Sequence, residues 1–529
     1  MQEVFLTYGK VREANLFICQ ECNAREGYYG NMEVAMTQGF DHDLYMKMQT
    51  EQIVKRIEKF DNKLYLEFGG KLFDDYHAAR VLPGFEMNAK IRILQELKEK
   101  TEIIFCIGAG DIEKNKVRAD IGITYDMDVL RLIDSIRRLG LTVSSVVITR
   151  YTDQPAADTF RKKLEMLGLT TYIHRPIKGY PTNVDLIVSQ DGYGSNPYIE
   201  TTKPLVVVTG PGAGSGKLAT CLSQVYYEHT KGIHAGYAKF ETFPIWNLPL
   251  KHPVNLAYEA ATADLNDVNM IDPFHLEAYG TTTVNYNRDI EAFPVVKTIL
   301  SKVTGDKDGY QSPTDMGVNM AGFCIVDDEC VREASKQEVL RRYYKIRCDH
   351  KMGRVDIDAV EKVELIMKAL DLEPTDRTVV EPALEKAEQT GAPAVAAQLP
   401  DGSILTGKTS DLMTAPAAMT LNSLKYLAGI ADEILLLSPV VLKPILRLKK
   451  LMQPGREPVL NLKEVLTALS ICEATNPLAS LVLAKLPAMK GCEVHCSNIL
   501  SVNDEQSLRE LGLNVTCEPE FPTKNLYNL

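Results

Sequence analysis

From residue 43 onward the chain alternates between two hydrophobic rhythms. Over residues 44–60 apolar positions return every three or four residues, and over 63–68 (Lys-Leu-Tyr-Leu-Glu-Phe) they are nearly continuous and stop at Gly69-Gly70. The first spacing predicts an amphipathic helix and the second a short buried strand. Further strands are predicted over 102–107, 143–149, 171–174, 185–189 and 205–208, with helices over 89–99, 127–139 and 154–167 between most of them. Strands alternating with helices predict an α/β fold on a doubly wound, mainly parallel sheet. Ligands of such sheets sit beyond the strand C-terminal ends, near the point where strand order reverses.

Downstream the pattern changes twice. Residues 236–253 are punctuated by proline and rich in aromatics, which predicts a long ordered loop. Either Lys239, Glu241, Lys251 and His252 close over a substrate, or Trp246 and its neighbours pack against a partner subunit. Residues 327–347, 356–370 and 377–390 each carry apolar residues at helical spacing and predict a helical subdomain on the sheet domain. Past Gly391, runs at 394–399 and 404–406 flank Pro400-Asp401-Gly402-Ser403, a hairpin signal, followed by a helix at 415–427, a strand at 433–437 and a helix at 440–448. That order resembles the topology of cytidine deaminases. The zinc ligands of those enzymes, H-x-E and P-C-x-x-C, have no counterpart, since Ser438-Pro-Val-Val-Leu442 stands where cysteines would. Cys492-Glu-Val-His495-Cys496 lies on a strand-like run whose residues alternate faces, which suits a core better than a metal site.

The chain thus divides into an atypical N-terminal extension (1–35), an α/β phosphate- or nucleotide-binding domain (36–326), a helical subdomain (327–390) and a smaller α/β domain of deaminase-like order (391–529). The extension has no sustained periodicity. Its Cys19-Gln-Glu-Cys22 lacks the second pair that a zinc site wants.

Composition narrows the function. A net charge of -11 without long single-sign runs argues against a nucleic-acid surface, which needs clustered cations. Eleven cysteines scattered without a secretion signal read as reduced thiols of a cytoplasmic protein. No apolar run approaches the ~20 residues of a membrane span.

The candidate chemistry centres on Pro204-Leu-Val-Val-Val-Thr-Gly-Pro-Gly-Ala-Gly-Ser-Gly-Lys217, where an apolar strand runs into four glycines and a helix begins. Successive backbone N–H groups and a helix N-terminus aimed at one point make a phosphate cradle, with Lys217 as point charge. Gly212, Gly214, Ser215, Gly216 and Lys217 are therefore the expected ligand-binding residues, and ATP with Mg²⁺ the candidate cofactor. The loop departs from G-x-x-x-x-G-K-[ST] at Pro211 and at Leu218, where the Mg²⁺-binding hydroxyl would stand. Thr209, Ser215 and Thr220 are the hydroxyls nearby in sequence. Polar clusters follow the other strands: Glu67, Lys71, His77 and Arg80 after the first, Asp111 after the second, Arg150 after the third. Asp111 or Glu67 is the candidate base or metal ligand, and Lys71, His77 or Arg80 the candidate cation for an anionic substrate. Gly108-Ala-Gly110 is not a dinucleotide loop, because Glu113 replaces the third glycine.

The runs Leu64-Tyr-Leu-Glu-Phe-Gly-Gly-Lys71, Arg80-Val-Leu-Pro-Gly84, Pro197-Tyr-Ile-Glu-Thr-Thr-Lys203, Gly214-Ser-Gly-Lys-Leu-Ala-Thr-Cys-Leu-Ser223 and Ser312-Pro-Thr-Asp-Met-Gly-Val-Asn319 resemble an uncharacterised bacterial family, catalogued only as a domain of unknown function. The resemblance spans about 39–528 and brings no established activity. It implies an intracellular protein with an α/β N-terminal part, a helical insert and a deaminase-like C-terminal part. The expected function is that of a nucleotide- or phosphate-ester-binding enzyme, an ATP-dependent transferase or hydrolase; the rival is a non-catalytic nucleotide-sensing module that assembles homo-oligomers. Deleting residues 1–31 is expected to leave fold and ligand binding intact, because that stretch offers no periodic face to bury. A thermal midpoint lowered by more than a few degrees refutes this.

Overall fold

A computed structural model describes residues 38–118, 121–452 and 458–523; the extension, with Cys19 and Cys22, lies outside them. The nearly continuous apolar runs become strands buried on both faces, as a parallel sheet requires. Seven strands, β1 (Leu64–Phe68), β2 (Thr101–Gly108), β3 (Thr142–Thr149), β4 (Thr171–Ile173), β5 (Leu205–Thr209), β6 (Gly236–Phe240) and β7 (Gly317–Val318), form one sheet in the order β7-β6-β1-β5-β2-β3-β4. Every neighbouring pair is parallel.

The pleat sorts side chains between two cores. Leu64, Leu66 and Phe68 face a core completed by helices such as His42–Lys59 and Ala89–Glu96, while Tyr65, Ile104, Cys106, Val206 and Val208 face helices Lys217–Thr230 and Asn287–Thr304. Full burial of each large aliphatic residue contributes about 1.5–3 kcal/mol, so β2, buried at all eight positions, and β5, buried at all five, anchor the middle of the sheet. The chain lays down β1 to β4 towards one edge, returns to insert β5 between β1 and β2, then builds β6 and β7 on the other side of β1. The reversal brings the C-terminal ends of β1, β5 and β2 side by side.

Two expectations in this region are corrected. Residues 185–189 are not a strand: Asn183 accepts a hydrogen bond from the Leu186 N–H and caps the short helix Val184–Ile187. Residues 236–240 do not begin a loop but form β6, paired with β1 in the register Leu64↔Gly236 to Phe68↔Phe240. Its opening glycine and central Lys239 hide it from a hydrophobic scan.

Beyond residue 326 come helices Asp328–Lys351, Ile357–Ala369 and Val380–Thr390. A second sheet follows, with β8 (Ala394–Gln398), β9 (Ile404–Lys408), β10 (Glu493–Cys496) and β11 (Asn514–Cys517) in the order β9-β8-β10-β11. The β8–β9 hairpin is antiparallel, β10 runs antiparallel to β8, and β11 is parallel to β10. Residues 433–437 are not a strand: Leu436 and Leu437 are buried as irregular chain, and β10 takes the place beside the hairpin. His495 and Cys496 are core residues, with His495 Nδ1 2.9 Å from Thr516 Oγ1.

A charge network fastens this sheet to the rest. Arg377, 1% exposed, pairs with Glu493 and donates to Thr516 Oγ1 and to the carbonyls of Val494 and Asn514. Arg341 bridges Glu493 and Glu338, and Arg80 reaches Asn514 Oδ1 at 2.8 Å. Removing one partner of a buried pair strands the other charge and typically costs about 3–5 kcal/mol. Arg377→Ala is therefore expected to lower unfolding stability by about 3 kcal/mol or more, measured by urea denaturation. A loss below about 1 kcal/mol, the worth of an exposed pair, refutes the network's role.

Candidate functional site

The glycine loop lies at the reversal point, between the end of β5 and helix Lys217–Thr230. Gly216 caps that helix in the left-handed region (φ 88°), and an added Cβ there would fall 2.7 Å from Thr149 Oγ1. Thr149, the last residue of β3, donates to the Ser215 carbonyl at 2.8 Å and so pins the loop to the sheet. Ser215 Oγ closes the turn on the Gly212 carbonyl at 2.9 Å. Lys217 folds back across the loop, its Nζ 3.2 Å from Gly212 O and 3.4 Å from Ser215 Oγ. Among the described residues this half-buried ammonium is held by one carbonyl and one hydroxyl, neither of them a counter-ion.

On the β2–β3 side, Tyr125 leans over the loop, its hydroxyl only 2.4 Å from where a Gly212 Cβ would stand. Lys116 lies over the Tyr125 ring, 5.0 Å from its centroid, and 3.5 Å from Asp111. Arg150 follows β3 with a left-handed backbone (φ 54°) and stands 3.6 Å from Asp111 Oδ2. Pairs this long and this exposed are worth about 0–1 kcal/mol, so neither cation is committed to Asp111. Lys116, Arg150 and Lys217 thus gather at this end of the sheet.

On the other side, Glu67 at the end of β1 accepts a hydrogen bond from Tyr237 at 2.9 Å. Its register partner Lys239 pairs with Glu241 at 2.9 Å and with Asp289. Burial works against the Lys239 ammonium, but the carboxylates of Asp289, Glu241 and Glu67 outweigh it and hold its pKa well above the ordinary lysine value. Burial pushes the Glu241 carboxyl up to about 7, opposed by Lys239 and reinforced by Asp289. Cys106 and Cys221, buried beneath the loop, are pushed up by burial, which makes them inert thiols.

Of the residues singled out from sequence, Glu67, Asp111 and the glycine loop with Lys217 meet at one edge. Lys71 is exposed on the loop after β1. His77 and Arg80 belong to the network at the C-terminal sheet: His77 Nδ1 is 3.3 Å from Glu338 and its ring packs on Phe243 and Tyr258. Burial depresses the His77 pKa, against the pull of Glu338. Tyr125 and Thr149 went unnoticed in the sequence because their approach to the loop depends on how three separate strands are ordered, and no local spacing encodes that.

Residues 38–371 match the profile described as "Domain of unknown function DUF1846, N-terminal", and residues 375–527 match its C-terminal companion. The chain belongs to this family. A "UPF0371 protein" of Clostridium botulinum (strain Alaska E43 / Type E3) is 58% identical over 497 residues, which is 92% of this chain and 99% of that relative. The UPF0371 protein of strain Eklund 17B / Type B matches equally, and that of strain 657 / Type Ba4 is 57% identical over the same length. The bacterial family inferred from the motifs is thus the family found.

Glu241 carries a pH signature. Its folded-state value of about 7 exceeds the ordinary 4.5, so the folded state binds the extra proton and its stabilisation is lost as pH rises through that window. Glu241→Gln is expected to flatten the fall in stability between these values, followed by thermal midpoints across pH. An unchanged slope in the variant refutes it.

Proposed function

We propose that the chain binds a nucleotide or phosphate ester at the glycine loop and acts on it as an ATP-dependent transferase or hydrolase. The observation that carries this reading is Lys217: the first residue of a 14-residue helix, curled over a glycine loop with only a carbonyl and a hydroxyl as hydrogen-bond partners. A helix N-terminus, a glycine loop and an ammonium at its mouth are together the groups that favour an oxyanion. Lys116 and Arg150 add positive charge for further phosphate oxygens. Glu67 and Asp111 flank the position from opposite sides and are the acids available to orient a nucleophile.

The residues fit a phosphate better than a loop-bound Mg²⁺. Leu218 offers no hydroxyl, Ser215 Oγ is spent on Gly212 O, Thr209 is buried, and Thr220 Oγ1 donates to Gly216 O at 3.0 Å. This same observation favours the second reading, a module that senses nucleotide without hydrolysing it. In both, the C-terminal domain carries no deaminase chemistry: the strand at 433–437 on which the deaminase-like order rested does not form, and Ser438 to Leu442 offer no zinc ligands.

A charge-assisted contact of this kind contributes on the order of 1.5–3 kcal/mol. Lys217→Ala is therefore expected to weaken binding by at least about tenfold, at about 1.4 kcal/mol per decade, with stability little changed. Leu218→Thr should strengthen Mg²⁺ dependence if the loop holds phosphates as supposed. Calorimetry with ATP, ADP and inorganic phosphate checks both. Equal affinities for wild type and Lys217→Ala, or no binding by either, return the loop to a packing role; substrate-stimulated phosphate release separates enzyme from sensor.

A further inference from the structure

The C-terminal domain carries a surface that nothing in the described chain covers. Helix Pro439–Met452 buries Leu442 in the second core with Ile445 and Leu446 beside it, and Lys449 ties its inner edge to the Val459 carbonyl and Glu464. Its outer face is apolar: Val440 is 79% exposed, Leu448 58%, Leu451 71% and Met452 74%, and Leu435 just before the helix is 73% exposed. The spacing of 440, 448 and 451 puts them on one stripe about 17 Å long at 1.5 Å per residue. Scattered exposed leucines need no explanation, whereas a continuous stripe of this kind marks a contact surface.

Charge selects the occupant. Lys443, Arg447 and Lys450 lie beside the stripe, weighted towards its C-terminal end, and the helix contains no acidic residue. The carboxylates of Asp432 and Glu433 are exposed just ahead of its other end. An anionic lipid surface would attract one end and repel the other, and the chain as a whole carries -11. Two copies laid antiparallel about a two-fold axis match instead: apolar stripe covers apolar stripe, and each basic end meets the other's acidic end. An isologous contact of this kind closes with no surface left over.

We infer that residues 432–452 form the contact face between two copies of this chain, paired antiparallel about a two-fold axis. The assignment is independent of the phosphate-binding reading, since no residue of the stripe belongs to the glycine-loop site.

The test is the mass of the full-length chain by sedimentation velocity at micromolar concentration. Wild type is expected at twice the monomer mass of 58.9 kDa. Leu448→Asp with Leu451→Asp, both at exposed positions, is expected to give a monomer whose far-UV circular dichroism is unchanged. Arg447→Glu with Lys450→Glu should weaken the dimer about tenfold or more. Adding Asp432→Lys and Glu433→Lys to that chain should recover most of the lost affinity, because the two-fold axis again sets opposite charges together. A monomeric wild type, a dimer that survives both leucine substitutions, or a charge-exchanged chain no tighter than the half-exchanged one overturns the inference. So does a monomer that binds phosphatidylserine vesicles through Leu448 and Leu451, which assigns the stripe to lipid.

Discussion

The late insertion of β5 between β1 and β2 is the constraint on which the N-terminal domain depends. Until residues 205–209 arrive, β1 and β2 have no shared neighbour and the sheet is two unconnected pieces, although β2 ends as early as residue 108. Once in place, β5 is hydrogen-bonded on both edges and buried on both faces, and its exit is fixed: the chain must turn sharply at the crowded middle of the sheet, over the ends of its neighbours. Only residues without side chains pass where Gly212 meets Tyr125 and Gly216 meets Thr149. Packing therefore accounts for much of the glycine content that reads as a phosphate loop. The lysine is what packing alone does not explain.

Around that fixed centre the two flanks are electrostatically opposite. Towards β2 and β3 the side chains are cationic and loosely paired, as expected of groups that take an anion. Towards β6 they are mostly acidic around a single ammonium, Lys239, whose three carboxylate neighbours outnumber it. The burial that raises Glu241 is the molecule's way of reducing that excess, since a proton there costs less than a third close carboxylate charge.

How far this was legible follows from what is local. The helices over 42–59, 89–96, 125–138 and 155–166 and strands β1, β2, β3 and β5 were readable because their hydrophobic period is sustained, whereas the short helices over 76–81 and 109–113 were read only as polar clusters. The segment 185–189 misled because a short apolar run has no period, and its identity is set by the Asn183 cap. The segment 236–240 misled in the opposite direction: Lys239 interrupts an interior strand because Glu241 and Asp289 are there to receive it, and those partners are distant in sequence or beyond the strand. In the segment 433–437 only Leu436 and Leu437 cover a core, and they do so without pairing, while Ile434 and Leu435 are exposed. Glu67 and Asp111 were singled out for their place at strand C-terminal ends, and they stand at that edge of the sheet, while His77 and Arg80 went elsewhere because the helix between residues 76 and 81 turns its polar side to Glu338 and Asn514.

The acidic flank and the C-terminal sheet are joined by a run of contacts through that same helix. His77 touches Phe243 and Tyr258, Tyr258 packs on Tyr286, and Tyr286 lies beneath the Lys239 ammonium, while on its other side His77 contacts Glu338, whose partner Arg341 continues to Glu493 in the C-terminal sheet. Every link is a packed ring or a buried ion pair, and groups so packed shift together or not at all. A change in charge at the acidic flank therefore has a contiguous physical route to the domain that bears the apolar stripe. Spatial continuity is not coupling; what the contacts give is a junction at His77, whose burial disfavours its charged form and whose Nδ1 lies within reach of both Glu338 and Arg342.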